Sequence, residues 1–123
     1  MTGQELLEQA LYLLNYTNNR GEIDTRNSQE LLRRGVPIIN AVLADVLPIA
    51  GEPIAAIGSL SDTLPVAEEI AAAVMPYGVG MWLAQSEADG DNQQLMSALY
   101  NQKRNAIRRP SGRVADVLPI PDN

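Results

Sequence analysis

Residues 65–86 read PVAEEIAAAVMPYGVGMWLAQS. Ile70, Ala71, Val74, Met75, Gly78, Met81 and Trp82 recur at the spacing of one helix face. Pro65 suits a first helical position, where its missing N–H would be unpaired anyway. Asp62 or Thr63 can help cap that start, and Glu68 and Glu69 complement the positive end of the helix dipole. Pro76 predicts a kink. The small residues Ala71, Ala72, Ala73, Gly78 and Gly80 let a neighbouring backbone come close. Such a helix is built to pack among other helices, and its neighbours in sequence are read with that in mind.

On its C-terminal side, SEADGDN is a tight acidic turn. A further helix starts near Asp91 and carries Leu95, Met96, Leu99, Tyr100, Ala106 and Ile107. Lys103, Arg104, Arg108 and Arg109 crowd its last turns, where cations oppose the helix dipole. Pro110 ends it. On the N-terminal side, residues 49–64, IAGEPIAAIGSLSDTL, carry Gly, Pro and Ser punctuation. They predict a short strand or hairpin around Ile54, Ile57 and Leu60, or an ordered loop. Before them a helix starts around Asn27, with a cap-plus-Glu spacing to Glu30. Leu31, Leu32, Ile38, Ile39, Val42, Leu43, Val46 and Leu47 supply its buried face. Gly35 and Pro37 predict a kink or break near Val36, since an interior proline costs roughly 3 kcal/mol. Pro48 favours a stop. The first helix begins at Thr2, with Glu5 three residues on, the spacing of a capping box. Leu6, Leu7, Ala10, Leu11, Leu13 and Leu14 form its apolar stripe, and TNNRGE breaks it near Tyr16.

The expected fold is therefore all-α: a small bundle of about four helices, with residues 49–64 extended or hairpin-like. Residues 1–109 form the helical domain and residues 110–123 an extended C-terminal docking tail. Composition agrees. The apolar residues are mostly Ala, Leu, Ile and Val, there is no Phe, and Trp occurs once. A chain of 123 residues is expected to form one domain.

Chemistry is narrowed by what is missing. With no Cys, there is no disulfide, thiolate metal site or thiol nucleophile. With no His, the chain lacks the side chain best suited to acid–base work near neutral pH. Glu68 and Glu69 point to different sides of a helix and make a poor acid–base pair. Glu87, Asp89 and Asp91 alternate as in some calcium loops. Counted from Asp89, however, the sixth position is Gln94 rather than Gly and the twelfth is Tyr100 rather than Glu. The glycines form no phosphate-binding fingerprint. The expectation is no enzyme, no cofactor and no metal. No stretch has a signal peptide's basic start or a bilayer-spanning length, and a soluble intracellular product is expected.

The net charge is -6, unevenly placed. Residues 1–100 hold four basic and thirteen acidic side chains, and residues 101–123 hold five and two. Such a balance disfavours general binding to nucleic acid. The basic end runs into RPSGRVADVLPIPDN, where Pro119 and Pro121 favour an extended chain. Its ADVLPI repeats residues 44–49. The first copy belongs to a helix end, with Val46 and Leu47 on an apolar face. The second has no face of its own. The flanks do not match, so a duplicated domain is not expected, and chance in an aliphatic chain is the plainer account. Val114, Val117, Leu118 and Ile120 nevertheless need a surface to cover. Arg108, Arg109 and Arg113 would steer that segment to an acidic one, and the tail is expected to become ordered on a partner. Tyr77 and Trp82 read first as core. Next to Gly78 and Gly80, they read second as a contact between copies.

The stretch IGSLSDTLPVAEEIAAAVMPYGVGMWLAQSEADGDNQQLMSALYNQKRNAI resembles the head–tail connector (adaptor) proteins of tailed bacteriophages. The resemblance lies in a D-x-LP helix start, an Ala-rich helix with a Tyr near its middle, an acidic turn, and a helix ending in Tyr and basic residues. Asp62, Leu64, Pro65, Ala73, Tyr77, Glu87, Asp89, Tyr100 and Arg104 carry it, and LLRRGVPIINAVLADVL fits the paired N-terminal helices. Pro76 departs from the pattern. The resemblance covers roughly residues 3–109. It implies a structural virion protein that forms a homo-oligomeric ring, usually of twelve subunits, in the neck. The ring would join the portal to a stopper or tail protein, and DNA would pass through it without specific binding. It also implies a C-terminal extension that grips the portal or a neighbouring subunit, here Arg108, Arg109, Arg113, Val114, Val117, Leu118 and Ile120. Tyr77, Gly78 and Trp82 are possible inter-subunit residues. The subunit would wait in the host cytoplasm before assembly. The alternative is a small acidic regulatory or inhibitory protein, also of phage type, that binds a host enzyme.

Overall fold

The computed structural model describes residues 1–15 and 29–107. Helix α1 spans Gly3–Leu13, and the capping box forms as its spacing requires. The Glu5 N–H donates to Thr2 Oγ1 at 3.2 Å, and the Thr2 N–H donates to Glu5 Oε1 at 2.9 Å. A helix start leaves further backbone donors unpaired. Here the connection ahead of the third helix takes them: Gly3 N–H donates to Asp62 O at 3.1 Å and Gln4 N–H to Leu60 O at 2.8 Å. The helix ends at Leu13, slightly before the expected Tyr16, with Asn15 in the left-handed region at φ 62°.

Helix α2 spans Gln29–Ile49 without interruption. The expected break near Val36 does not occur, and Pro37 sits exposed inside the helix. Ile39, Val42, Leu43, Val46 and Leu47 beyond it are all buried. The burial of that face outweighs the local loss at the proline. Helix α1 comes close at Gly35, where a Cβ would stand 3.0 Å from Leu7 Cδ2 and 3.2 Å from Leu60 Cδ2. The expected cap Asn27 lies outside the described residues, as do the side chains of Leu31 and Leu32. Past Pro48 the helix closes with Gly51 at φ 79°. Glu52 N–H donates to Leu47 O and Gly51 N–H to Pro48 O, the paired bonds of a Schellman end.

Residues 52–64 form an ordered loop, and there is no strand among the described residues. One isolated antiparallel bridge joins Thr2 and Thr63. Asn40 clamps the loop at both backbone groups of Ile57, donating to its carbonyl at 3.0 Å and accepting from its N–H at 2.8 Å. Asp62 does not cap the next helix. Its carboxylate accepts from the Gly58 and Ser59 N–H groups and so closes a turn.

The helix expected from Pro65 starts later and is two helices: α3, Glu68–Ala73, and α4, Met75–Ser86. The anticipated kink is a break at Val74 (φ -116°, ψ -48°), and Pro76 lies in the first turn of α4. Pro76 has no N–H to continue the ladder, and its ring crowds the preceding turn. Glu68, in the first turn of α3, accepts from the Met1 ammonium at 3.0 Å.

Helix α5 is Gly90–Asn105, capped by Asp89, whose carboxylate accepts from the Asn92 N–H. The Asn92 side chain reaches the Leu14 carbonyl at the end of α1 at 3.4 Å. Helix α4 packs on all four of the others. It is accordingly buried on most sides, at Met75, Pro76, Gly78, Val79, Gly80, Leu83 and Ala84. Four residues expected on apolar helix faces lie outward: Leu13 at the edge of α1, Trp82 on α4, Leu95 on α5 and Ala106 just after it. The protein is a small all-α bundle.

Candidate partner-binding surface

Tyr100 and Arg104 are four residues apart on α5 and so share one face. That face meets Asp45, the aspartate of the first ADVLPI, on α2. Tyr100 donates its hydroxyl to Asp45 Oδ2 at 2.6 Å. Arg104 Nη1 donates to Asp45 Oδ1 at 3.1 Å and Oδ2 at 3.2 Å. Burial first, then the hydrogen bond and charge of Asp45, push the Tyr100 hydroxyl well above its ordinary range, while Arg104 pulls the other way. Tyr100 therefore stays neutral and acts as a donor. The arrangement holds α5 to α2. It offers no nucleophile and no paired acid and base.

One turn along, Lys103 lies over the Tyr77 ring, 4.8 Å from its centre. This cation–π contact joins α5 to α4 within the chain. Gly78 makes its close approach inside the chain as well. A Cβ there would stand 2.7 Å from Tyr100 Cε1 and 3.0 Å from Val42 Cγ1. Tyr77 is half-buried. Trp82, read first as core, is 41% exposed, the largest aromatic surface that α4 presents outward. Of the three residues considered for contacts between copies, Trp82 is thus the one on the surface. Arg108, Arg109, Arg113, Val114, Val117, Leu118 and Ile120 lie outside the described residues.

Beyond Lys103 an open groove of about 510 Å³ runs between the end of α2, α3 and the end of α5. Ile70, Ala73 and Val74 of α3 line one side, and Ala106 and Ile107 line the other. Ala50, next to the Schellman turn, also lines it, and Glu52 and Glu69 bring two carboxylates to the lining. The groove is mostly apolar and acidic at its charged positions, with Lys103 as the cation among its walls.

No protein family, curated protein or solved structure matches this chain. Among the described residues, no helix is long and apolar enough to cross a membrane, and no group of three or more acidic side chains could hold a metal ion.

Sequence reading missed the link from Asp45 to Tyr100 and Arg104. Two signals were present: the i, i+4 spacing of Tyr and Arg, and a lone aspartate between buried apolar positions. It also missed Asn40, a polar residue beside the buried Ile39. Neither signal names its partner, because each pair joins separate helices or a helix and a distant loop.

Proposed function

We propose that the chain is a structural subunit of a phage neck, a head–tail connector that assembles as a ring between the portal and a stopper or tail protein. The observation that carries this proposal is Trp82. A single tryptophan left 41% exposed on the most buried helix of the bundle is a feature that a contact between copies or with a partner would use. The connector-like layout of residues 57–107 supports it, and so does the concentration of basic charge beyond Asn101 on an otherwise acidic chain. In this proposal residues 108–120 grip the portal or a neighbouring subunit, and the acidic body lets DNA slide past. The location is the virion neck, reached from the host cytoplasm.

The experiment is native mass spectrometry and electron microscopy of the full chain, alone and with purified portal protein. Rings or portal-bound copies are expected. A monomer that never binds portal overturns the proposal. Deleting residues 111–123 is expected to keep the helical circular-dichroism signal and abolish attachment.

A further inference from the structure

The groove between α2, α3 and α5 lies where the described chain stops. Ile107, the last described residue, is itself one of its walls. The next residues, RRPSGRVADVLPI, carry a turn signature directly after the helix. In Arg109-Pro110-Ser111-Gly112, proline holds the second position and glycine the fourth, as a type I turn prefers. Such a turn sends the following residues back along the helix they have just left. The six residues 108–113 can cover up to about 20 Å when extended. That is ample to make the turn and re-enter a groove that begins at Ile107.

The chemistry of the two sides corresponds. The groove offers Ile70, Ala73 and Val74 with the carboxylates of Glu52 and Glu69. The segment offers Val114, Val117, Leu118 and Ile120, preceded by Arg108, Arg109 and Arg113. Both partners are on one chain, and a short linker sets an effective concentration of about a millimolar. Even a weak fit is then occupied, whereas a second copy at micromolar concentration competes poorly.

We propose that this groove is the seat of residues 113–120 of the same chain. The second ADVLPI then lies in a groove lined in part by Ala50, the residue directly after the first copy. The seat does not depend on the ring proposal. A partner that captures the segment has to draw it out of the groove.

The absence of cysteine makes disulfide trapping clean. The full chain would carry Ala73→Cys and Val117→Cys, and a control would pair Ala44→Cys with Val117→Cys. Ala44 is exposed on α2 and does not line the groove. Oxidation at low micromolar concentration is followed by non-reducing electrophoresis and peptide mass mapping. The expected result is a link within one chain, formed about tenfold faster for the Ala73 pair than for the control. Leu118→Asp, which removes one of the apolar side chains offered to the groove, should slow it about fivefold. Equal rates for the two pairs, links only between chains, or no link would each overturn the proposal. None of these outcomes bears on whether portal binds.

Discussion

Gly78 and Tyr100 show how a single position fixes the distance between helices. Glycine at 78 lets α4 rest against the Tyr100 ring and Val42, and the ring in turn delivers its hydroxyl to Asp45. Gly78→Ala should therefore destabilise the fold by about 1–3 kcal/mol, the range for overpacking, measured by urea unfolding. Tyr100 also gives the fold a pH dependence. Its folded pKa is raised, so the stability it contributes is whole below about pH 10, the ordinary tyrosine value, and is lost as pH rises past it. Above that point the slope from this one group approaches about 1.4 kcal/mol per pH unit. Tyr100→Phe should lose the hydrogen bond, about 0.5–1.5 kcal/mol at neutral pH. It should also flatten the fall in stability between pH 10 and 11.5, and unfolding curves with unchanged alkaline slopes would contradict this. Trp82→Ala should cost about 1–2 kcal/mol, below the 3–5 kcal/mol of a core aromatic. If Trp82 makes the proposed contact, that variant keeps its helices and loses assembly.

Among the elements, α1 was the most legible, because a capping box is local: Thr2 and Glu5 need only each other. The start of α3 was misread for the opposite reason. Asp62 looks like a cap for the residues after it, but its carboxylate turns back to close the local turn at Gly58 and Ser59, and its carbonyl serves Gly3, which only the tertiary fold brings near. The two prolines divide in the same way. Pro76 interrupts its helix as backbone chemistry alone requires. Pro37 does not, since the long buried face of α2 carries the helix through. Pro37→Ala should accordingly raise stability by about 1–3 kcal/mol, seen as a higher urea midpoint. In the candidate surface, the basic end of α5 was legible as charge, but the groove was not, because its walls come from three separate elements. The loop of residues 52–64 depends on Asn40. Asn40→Ala should cost about 1–3 kcal/mol, since the Ile57 N–H and carbonyl both lose their partner. Amide exchange at Gly3 and Gln4, held by the same loop, should quicken with it.

At the scale of the whole molecule, the charge distribution shapes how the chain would meet its partners. The net charge is -6, and five of the nine basic side chains lie in residues 101–123, so the rest of the sequence is strongly acidic. Attachment through Arg108, Arg109 and Arg113 should be steered over about a Debye length, roughly 8 Å at physiological salt. The association rate should then fall several-fold between low and physiological salt while dissociation changes little, which surface plasmon resonance on immobilised portal can read. In a resolved ring the channel should carry more Asp and Glu than Lys and Arg. A lining of Arg33, Arg34 and Arg104 would contradict this, and Arg104 is already committed to Asp45.

The order in which a ribosome releases this chain differs from the order in which its parts can be completed. Helix α1 emerges ahead of the other four described helices, but at 11 residues it is too short to hold its shape alone in water. The carbonyls that receive its Gly3 and Gln4 N–H groups belong to Asp62 and Leu60, and α4, on which it packs, follows later still. Helix α1 must therefore wait unfolded until α4 has left the exit tunnel, and the bundle closes only after that.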